Sequence, residues 1–330
     1  MSPRTSTRST IAEALNGWPP PVLDPAGPYA GSIATLSWAL FGMAAVVTAI
    51  VLAAMWVALF GPERLRAKLG GTAVIWVAGV AFPVVVLTGL LIWGLTLTNR
   101  LTEPPRGDEM RVRVTGQMWW WRVAYLDEQG RPVVHDANEL HIPVGRPVVL
   151  ELGSDDVIHN FWVPRLSGKL DMIPGRENVM RIQADEAGLF GGVCAEFCGG
   201  PHALMGFTVV AHQPAEFARL MADRRQPPPP SPPAPPSAEY ARGEQLFGSV
   251  GCAACHRIEG TPYNGLAGPD LTYVATRKTL GAGILPNNRG TLMGWIGNSQ
   301  AIKPGNRMPP YNVLSGEDLQ ALAVYLEGRR

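Results

Sequence analysis

The run from Gly192 to Met205, Gly-Val-Cys-Ala-Glu-Phe-Cys-Gly-Gly-Pro-His-Ala-Leu-Met, brings two thiols, an imidazole and a thioether close together as Cys194, Cys198, His202 and Met205. Sulfur and imidazole donors of this kind select copper over magnesium, calcium or manganese. A blue-copper site uses a single cysteine with two histidines and a methionine, so the second thiolate calls for another explanation, and two bridging thiolates can hold two copper ions. An earlier histidine is available in Asp155-Asp-Val-Ile-His159-Asn-Phe-Trp-Val-Pro164, a segment of strand-like apolar content. Two other readings compete. A Cys194–Cys198 disulfide leaves both histidines unexplained, and a structural zinc, with four ligands, leaves Met205 idle.

A second motif, Gly251-Cys-Ala-Ala-Cys-His256, has the Cys-x-x-Cys-His spacing of c-type haem attachment. Cys252 and Cys255 would make thioethers and His256 would bind iron from the proximal side. A thioredoxin-like redox pair is the alternative, but no βαβ pattern surrounds the cysteines. A methionine as sixth ligand would raise the potential relative to two imidazoles. Met308, in the loop Asn306-Arg-Met-Pro-Pro310, is preferred over Met293, which falls in a predicted helix from Thr291 to Gly297. The chain has 4 cysteines, all within these two motifs, so none is left for a structural staple. His135, His141 and His212 lack neighbours of ligand type at metal spacing and read as ordinary strand or loop histidines.

The elements that must position these groups change character along the chain of 330 residues, of which 46% are hydrophobic and only 17% charged. Residues 1–30 read as a polar, proline-containing leader without the apolar core of a cleaved secretory signal. Gly31 to Gly61 and Leu69 to Asn99 carry no charge, and each exceeds the roughly 20 residues that span a bilayer, with spans expected at about 33–60 and 70–98. Pro83 is expected to kink the second span. Arg64, Arg66 and Lys68 in the turn between them favour a cytoplasmic turn and leave both cofactor motifs outside, although Arg4 and Arg8 weaken that contrast.

From 101 to 225 the pattern becomes short β-prone runs: Arg111–Thr115, Trp119–Leu126, Glu139–Val144, Pro147–Leu152, Val179–Ala184 and Phe207–Ala211, with turns at Asp127–Gly130 and Pro174–Gly175. This predicts an all-β Greek-key sandwich closed by a short helix starting at Pro214. Trp119, Trp120 and Trp121 are consecutive, so on a strand they cannot all enter one core, and at least one is expected near the surface. Residues 226–237 form a proline-rich linker, a semi-rigid spacer of roughly 35 Å at about 3.1 Å per residue. Residues 238–330 predict helices at Glu239–Phe247 and, capped by Ser315, up to Glu327. Net charge is +1 for the whole chain, which gives no sign of nucleic-acid binding. From Arg100 to Arg225 there are 14 basic and 17 acidic residues, and from Ala238 to Arg330 there are 9 and 7, so opposite balances of −3 and +2 favour return of a tethered domain to its neighbour.

These motifs resemble subunit II of the haem-copper oxidases, here with a fused cytochrome c. The resemblance implies a multidomain membrane protein with a two-helix transmembrane hairpin, a cupredoxin-like Greek-key domain and an all-α class I cytochrome c domain. It implies that Cys194 and Cys198 bridge the dinuclear copper centre CuA, that His159 and His202 bind one copper each, that Met205 is a weak ligand, and that Glu196 contributes its backbone carbonyl. By the same resemblance Trp119 is the electron-entry residue, and the Glu196 carboxylate helps to bind magnesium at the contact with subunit I, where Asp171 and Arg176 also match; an ordinary surface ion pair is the plainer reading of those two. Gly268-Pro-Asp-Leu271 is similar to the loop beside the proximal histidine, and Met308 lies where class I cytochromes c carry their methionine. The implied partners are subunit I, subunit III and a cytochrome c-type donor, in a bacterial inner membrane with both cofactor domains on the periplasmic side. In one respect the chain departs from many members: Gly71–Trp76 has no acid where they carry a glutamate at the mouth of a proton path, and Glu63 is only a distant substitute. No acid, base or nucleophile is arranged for chemistry on a substrate, so the residues describe an electron relay. The alternatives are the electron-entry subunit of a copper-containing nitric oxide reductase and a free-standing membrane electron carrier.

Overall fold

The computed structural model describes residues 21–102, 109–226 and 237–329. Helix α1 (Pro28–Phe60) begins on a proline, which suits the first helical turn because the missing N–H has no partner there. Its 33 residues make a rod of about 50 Å, longer than the roughly 30 Å hydrocarbon core and so long enough to cross it. The short α2 (Glu63–Leu69) carries the charged turn. After it come α3 (Thr72–Trp76), a π-helical turn at Val77–Ala81, and α4 (Phe82–Thr102). The irregularity expected from Pro83 lies upstream as that wider turn: the proline ring crowds the carbonyl four residues back and cannot donate to it. Thr72 to Arg100 forms the second helix long and apolar enough to cross a membrane. Side chains such as Trp38, Phe41, Trp56, Val85 and Leu91 are more than half exposed, as lipid-facing residues are.

The soluble unit begins with two five-stranded sheets. One has the order β3-β2-β1-β5-β8, formed by β1 (Met110–Gln117), β2 (Trp120–Leu126), β3 (Pro132–Ala137), β5 (Val148–Ser154) and β8 (Asn178–Ile182). The other has the order β4-β10-β9-β6-β7, formed by β4 (Glu139–Pro143), β6 (His159–Trp162), β7 (Lys169–Met172), β9 (Gly188–Cys194) and β10 (Gly206–His212). The inner faces meet at Val112, Val114, Leu140, Ile142, Leu150, Leu152, Phe161 and Phe190, each at most 1% exposed. Burying one such side chain is worth about 1.5–3 kcal/mol. Asp127 Oδ1 accepts from the backbone N–H groups of Gln129 and Arg131 and fixes the β2–β3 turn.

One difference from the sequence reading stands out, whereas the three tryptophans follow it. The stretch 21–30, read as part of an unstructured leader, holds a 3-10 turn at Pro21–Leu23 and the start of α1. Ala26 N–H donates to Arg165 O, Asp185 N–H donates to Ala26 O, and Ala26 is buried in the sandwich core. Residues 1–20 of that leader, and the proline run 227–236, lie outside the described residues. The three tryptophans part ways: Trp121 enters the core, Trp120 is buried with Ala137 and Ala282, and Trp119, just before β2, is only half-buried.

Helix α5 (Pro214–Arg224) closes the sandwich. The remainder holds α6 (Ala238–Ser249), the single turn α7 (Cys252–Cys255), a small ladder of β11 (Thr279–Leu280) and β12 (Leu285–Pro286), α8 (Arg289–Ile302) and α9 (Gly316–Glu327). Ser237 and Ser315 cap α6 and α9, and Asn288 with Thr291 forms a reciprocal cap on α8. Helices α6 and α9 cross at Gly243, where an added Cβ would sit 2.7 Å from Tyr325 Cβ, so only glycine permits the approach. Phe247, Leu322, Tyr325 and Leu326 fill the space behind it.

Candidate metal centre and haem pocket

β9 ends at Cys194 and β10 begins at Gly206, and these neighbouring antiparallel strands hold the intervening loop from both sides. Cys194 N–H donates to Met205 O at 2.9 Å and closes it. β6 lies on the other flank of β9 with Phe161 opposite Cys194, which carries His159 to the same end of the sheet. Ring pairing does the rest of the positioning: His159 Nε2 meets Asp156 Oδ1 at 2.9 Å, leaving Nδ1 to face Cys194 Sγ at 3.8 Å. Asp156 is thus a supporting residue that sequence reading passed over, although its place three residues before His159 was a signal.

Within the loop the two sulfurs are 3.7 Å apart and unbonded, so the disulfide reading does not describe this structure. His202 Nδ1 lies 3.5 Å and Met205 Sδ 3.8 Å from Cys198 Sγ, and Cys194 Sγ–H donates to Glu196 O at 3.2 Å. His159, Cys194 and Cys198 offer donor atoms all within 4.8 Å of one another, and all three are buried. Six donors therefore converge, more than a four-coordinate zinc uses. Their protonation points the same way. The hydrogen bond between the two sulfurs pulls the Cys194 thiol well below the usual range, while the neighbouring Cys194 sulfur and burial push Cys198 up. Two adjacent thiolates cannot both be charged without cations between them, and soft cations are what this donor set fits. Glu196 itself is exposed, as are Asp171 and Arg176. Asp171 Oδ1 accepts from Asn160 Nδ2 at 2.6 Å, and among the described residues no ion pair joins it to Arg176, which removes the surface-pair reading.

Gly116 approaches the centre from β1, where an added Cβ would lie 2.7 Å from His159 Cδ2 and 2.9 Å from Cγ. Gly116→Ala is expected to displace the His159 ring and destabilise the fold by about 1–3 kcal/mol, read as a fall in Tm with an altered copper spectrum. An unchanged spectrum would mean that His159 does not ligate.

The second site is a cavity of about 360 Å³ lined by Cys252, Cys255, His256, Leu271, Trp295 and Met308 among others. His256 Nδ1 donates to Pro269 O at 2.7 Å, so Nε2 is the nitrogen left as a ligand, and burial pushes the ring below the usual imidazole range and keeps it neutral. An added Cβ on Gly268 would lie 2.7 Å from the His256 ring, which explains a glycine there. Met308 is held by its backbone: its N–H donates to Asn306 Oδ1, and its carbonyl accepts from Ser299 Oγ and Gln300 Nε2. Met293 is partly buried against the same core as Met308, but among the described residues only Met308 of the two lines the cavity. An apolar slot with a single-turn thiol pair, a free imidazole nitrogen and a facing thioether fits haem.

Trp119 joins the two sites. It lines the cavity, and its Nε1–H donates to Cys198 O at 2.8 Å. His141 and His212, which sequence reading kept apart, stack with ring nitrogens 2.9 Å apart, because β4 and β10 pair in parallel with His141 opposite Val210.

Fold and sites together define a membrane-anchored redox protein of a cupredoxin-like and a cytochrome c domain. The periplasmic domain of cytochrome c oxidase subunit II matches residues 125–212, and cytochrome c matches residues 240–329. Cytochrome c oxidase subunit 2 of Alkalihalophilus pseudofirmus is 34% identical over 319 residues, covering 92% of this chain and 89% of that protein. Its counterpart in Bacillus subtilis is 29% identical over 285 residues, covering 81% and 78%. A crystal structure of the periplasmic domain of subunit II of cytochrome oxidase of Bradyrhizobium japonicum aligns at 30% identity and TM-score 0.32, covering 37% of this chain and 96% of that one. The chain belongs to the cytochrome c oxidase subunit II family, with a C-terminal cytochrome c domain, and is a subunit of an oxidoreductase complex. The first domain implies CuA copper and the second implies haem. Two apolar helices and a periplasmic-domain family make it a membrane protein with an extracytoplasmic domain.

Proposed function

We propose that this chain is the electron-entry subunit of a respiratory haem-copper oxidase. Cys194, Cys198, His159 and His202, with Met205 and the Glu196 carbonyl, would hold a copper pair there. Cys252 and Cys255 would attach haem c covalently, and His256 and Met308 would hold its iron. Bound there, these groups supply one-electron steps between a cytochrome c-type donor and subunit I, where oxygen is reduced with proton pumping. The observation that carries this reading is the double contact of Trp119, which borders the haem cavity and donates to the carbonyl of Cys198. Asp156 and Pro269 O orient the two imidazoles so that the ligating nitrogens need not turn. The chain crosses a bacterial plasma membrane twice, with α2 inside and the two cofactor domains outside, supported by Arg64, Arg66 and Lys68 on α2. It associates with subunits I and III, and the exposed Glu196 carboxylate offers one hard oxygen toward a magnesium ion whose other ligands subunit I supplies.

Trp119→Phe keeps the bulk and removes the indole N–H. In the purified complex it is expected to slow haem-to-copper transfer by about 10²-fold, the scale on which mispositioned reacting groups lose rate, with both spectra unchanged. Transfer at the wild-type rate would contradict the path. Oxygen consumption by the same complex supports the oxidase, whereas turnover of nitric oxide alone would replace it by a reductase of the same cofactors.

A further inference from the structure

The haem-bearing half meets the copper-bearing half along a buried seam. Asp136, 1% exposed at the end of β3, accepts from Arg224 Nη1 at 2.6 Å and from Arg277 Nε at 3.0 Å. Arg224 ends α5 in the copper domain, whereas Arg277 belongs to the haem domain, and both are nearly as buried as the carboxylate. Glu139, also 1% exposed, accepts from the backbone N–H of Lys278 at 2.7 Å. Asp136 thus lies between two guanidinium groups, one from each domain, out of contact with water. The seam continues through Tyr273 OH, which donates to Arg224 O at 2.9 Å, and Arg224 Nη2, which donates to Thr276 Oγ1.

A second buried contact lies beside the haem cavity. Lys303, 3% exposed on the haem side, donates through Nζ to Trp119 O at 2.7 Å and to Gly281 O at 3.1 Å. Next to it Gly206 N–H donates to Ala282 O, and Trp120 packs on Ala137 and Ala282. The wall of the cavity nearest the copper centre is consequently built from Met118, Trp119 and Trp120 of the other domain. Transient electron-transfer encounters bury small, wet surfaces, whereas this contact buries a carboxylate paired across it and a lysine held by carbonyls from both sides.

We propose that Asp136, Arg277 and Lys303 are positioning residues that lock the haem domain on the copper domain with the cavity against Trp119, so that transfer between the two sites occurs in one standing complex. The inference rests on the electron-entry reading. The step it serves moves one electron, the haem being oxidised as the copper centre is reduced, with no proton required. In a standing complex that step needs no docking motion, whereas a domain searching on its tether gives a rate that falls with viscosity and with salt.

The test uses the full chain in its complex. Raising salt from 0.01 to 1 M shortens screening from about 30 to about 3 Å and is expected to leave the haem-to-copper rate unchanged within twofold. In Arg277→Gln with Lys303→Met, Asp136 keeps Arg224, so the fold survives. The rate is expected to fall by about ten- to a hundredfold and to become sensitive to salt and viscosity, while both spectra and both potentials stay as in the parent. Arg277→Lys with Lys303 intact is expected to recover most of the rate. A parent rate that drops with salt, or a double variant as fast as the parent, overturns the proposal. Amide hydrogen exchange at Trp120 and Ala282 reads the lock without any cofactor: slow exchange in the parent that becomes fast in the double variant supports it, and equal exchange overturns it. A chain that binds no copper would sink the electron-entry reading while this exchange test still decides the lock.

Discussion

Cys198→Ser is expected to abolish the copper pair while leaving the haem untouched. The Cys198 sulfur is the hub of the centre, 3.7 Å from Cys194 Sγ, 3.5 Å from His202 Nδ1 and 3.8 Å from Met205 Sδ. A serine oxygen is smaller and harder, prefers magnesium-like ions, and does not bridge soft metals. Copper per chain is expected to fall from two to at most one. Oxidase turnover should drop by more than about a hundredfold, since even residues that merely orient a ligand are worth ten- to a hundredfold. Metal analysis and electron paramagnetic resonance check the first expectation, and steady-state oxygen consumption checks the second. Full copper retention in the variant would remove Cys198 from the ligand set. The unchanged haem spectrum serves as the internal control, because Cys252 and Cys255 lie in a separate motif.

His256→Ala is expected to be as damaging from the other side. The ring is fixed by its Nδ1–H to Pro269 O, packed against Gly268, and kept neutral by burial, so Nε2 is ready as a ligand at neutral pH. Among the described residues no other imidazole lines that cavity. Loss of the ring is expected to eliminate the low-spin haem spectrum and to cut donor-driven turnover by more than about a hundredfold, while a small chemical reductant still reduces the copper. Optical spectra of the reduced complex and stopped-flow reduction by a cytochrome c-type donor measure this. A low-spin spectrum that survives the substitution would show that a different residue holds the iron.

The donor set was legible because most of it is local: Cys194 to Met205 falls in one loop, and local spacing survives folding. His159 was reachable only through its strand-like neighbours, since its approach depends on the β6–β9 pairing. The membrane helices were legible from the absence of charge alone. Three strands of the sandwich were missed for identifiable reasons. β9 is Gly-Leu-Phe-Gly-Gly-Val-Cys, whose glycines hide its β character; β7 is a four-residue edge; and β3 starts on a proline. Ala26 was read as leader because docking on Arg165 and Asp185 is a tertiary event that leaves no periodic pattern. The domain contact is the sharpest case. Overall balances of −3 and +2 had the right sign. The contact itself, however, rests on Asp136 held between Arg224 and Arg277, residues far apart in sequence that no local pattern links.

The central claim is that this chain carries a copper pair and one haem c. Copper and iron per chain, with optical and electron paramagnetic resonance spectra of the full chain in its complex, test it most directly. An unpaired electron shared equally by two copper nuclei of spin 3/2 gives seven hyperfine lines, and a single nucleus gives four. The structure predicts two coppers with the seven-line pattern and one low-spin haem. One copper with four lines, or zinc in its place, would contradict the reading of Cys194 to Met205.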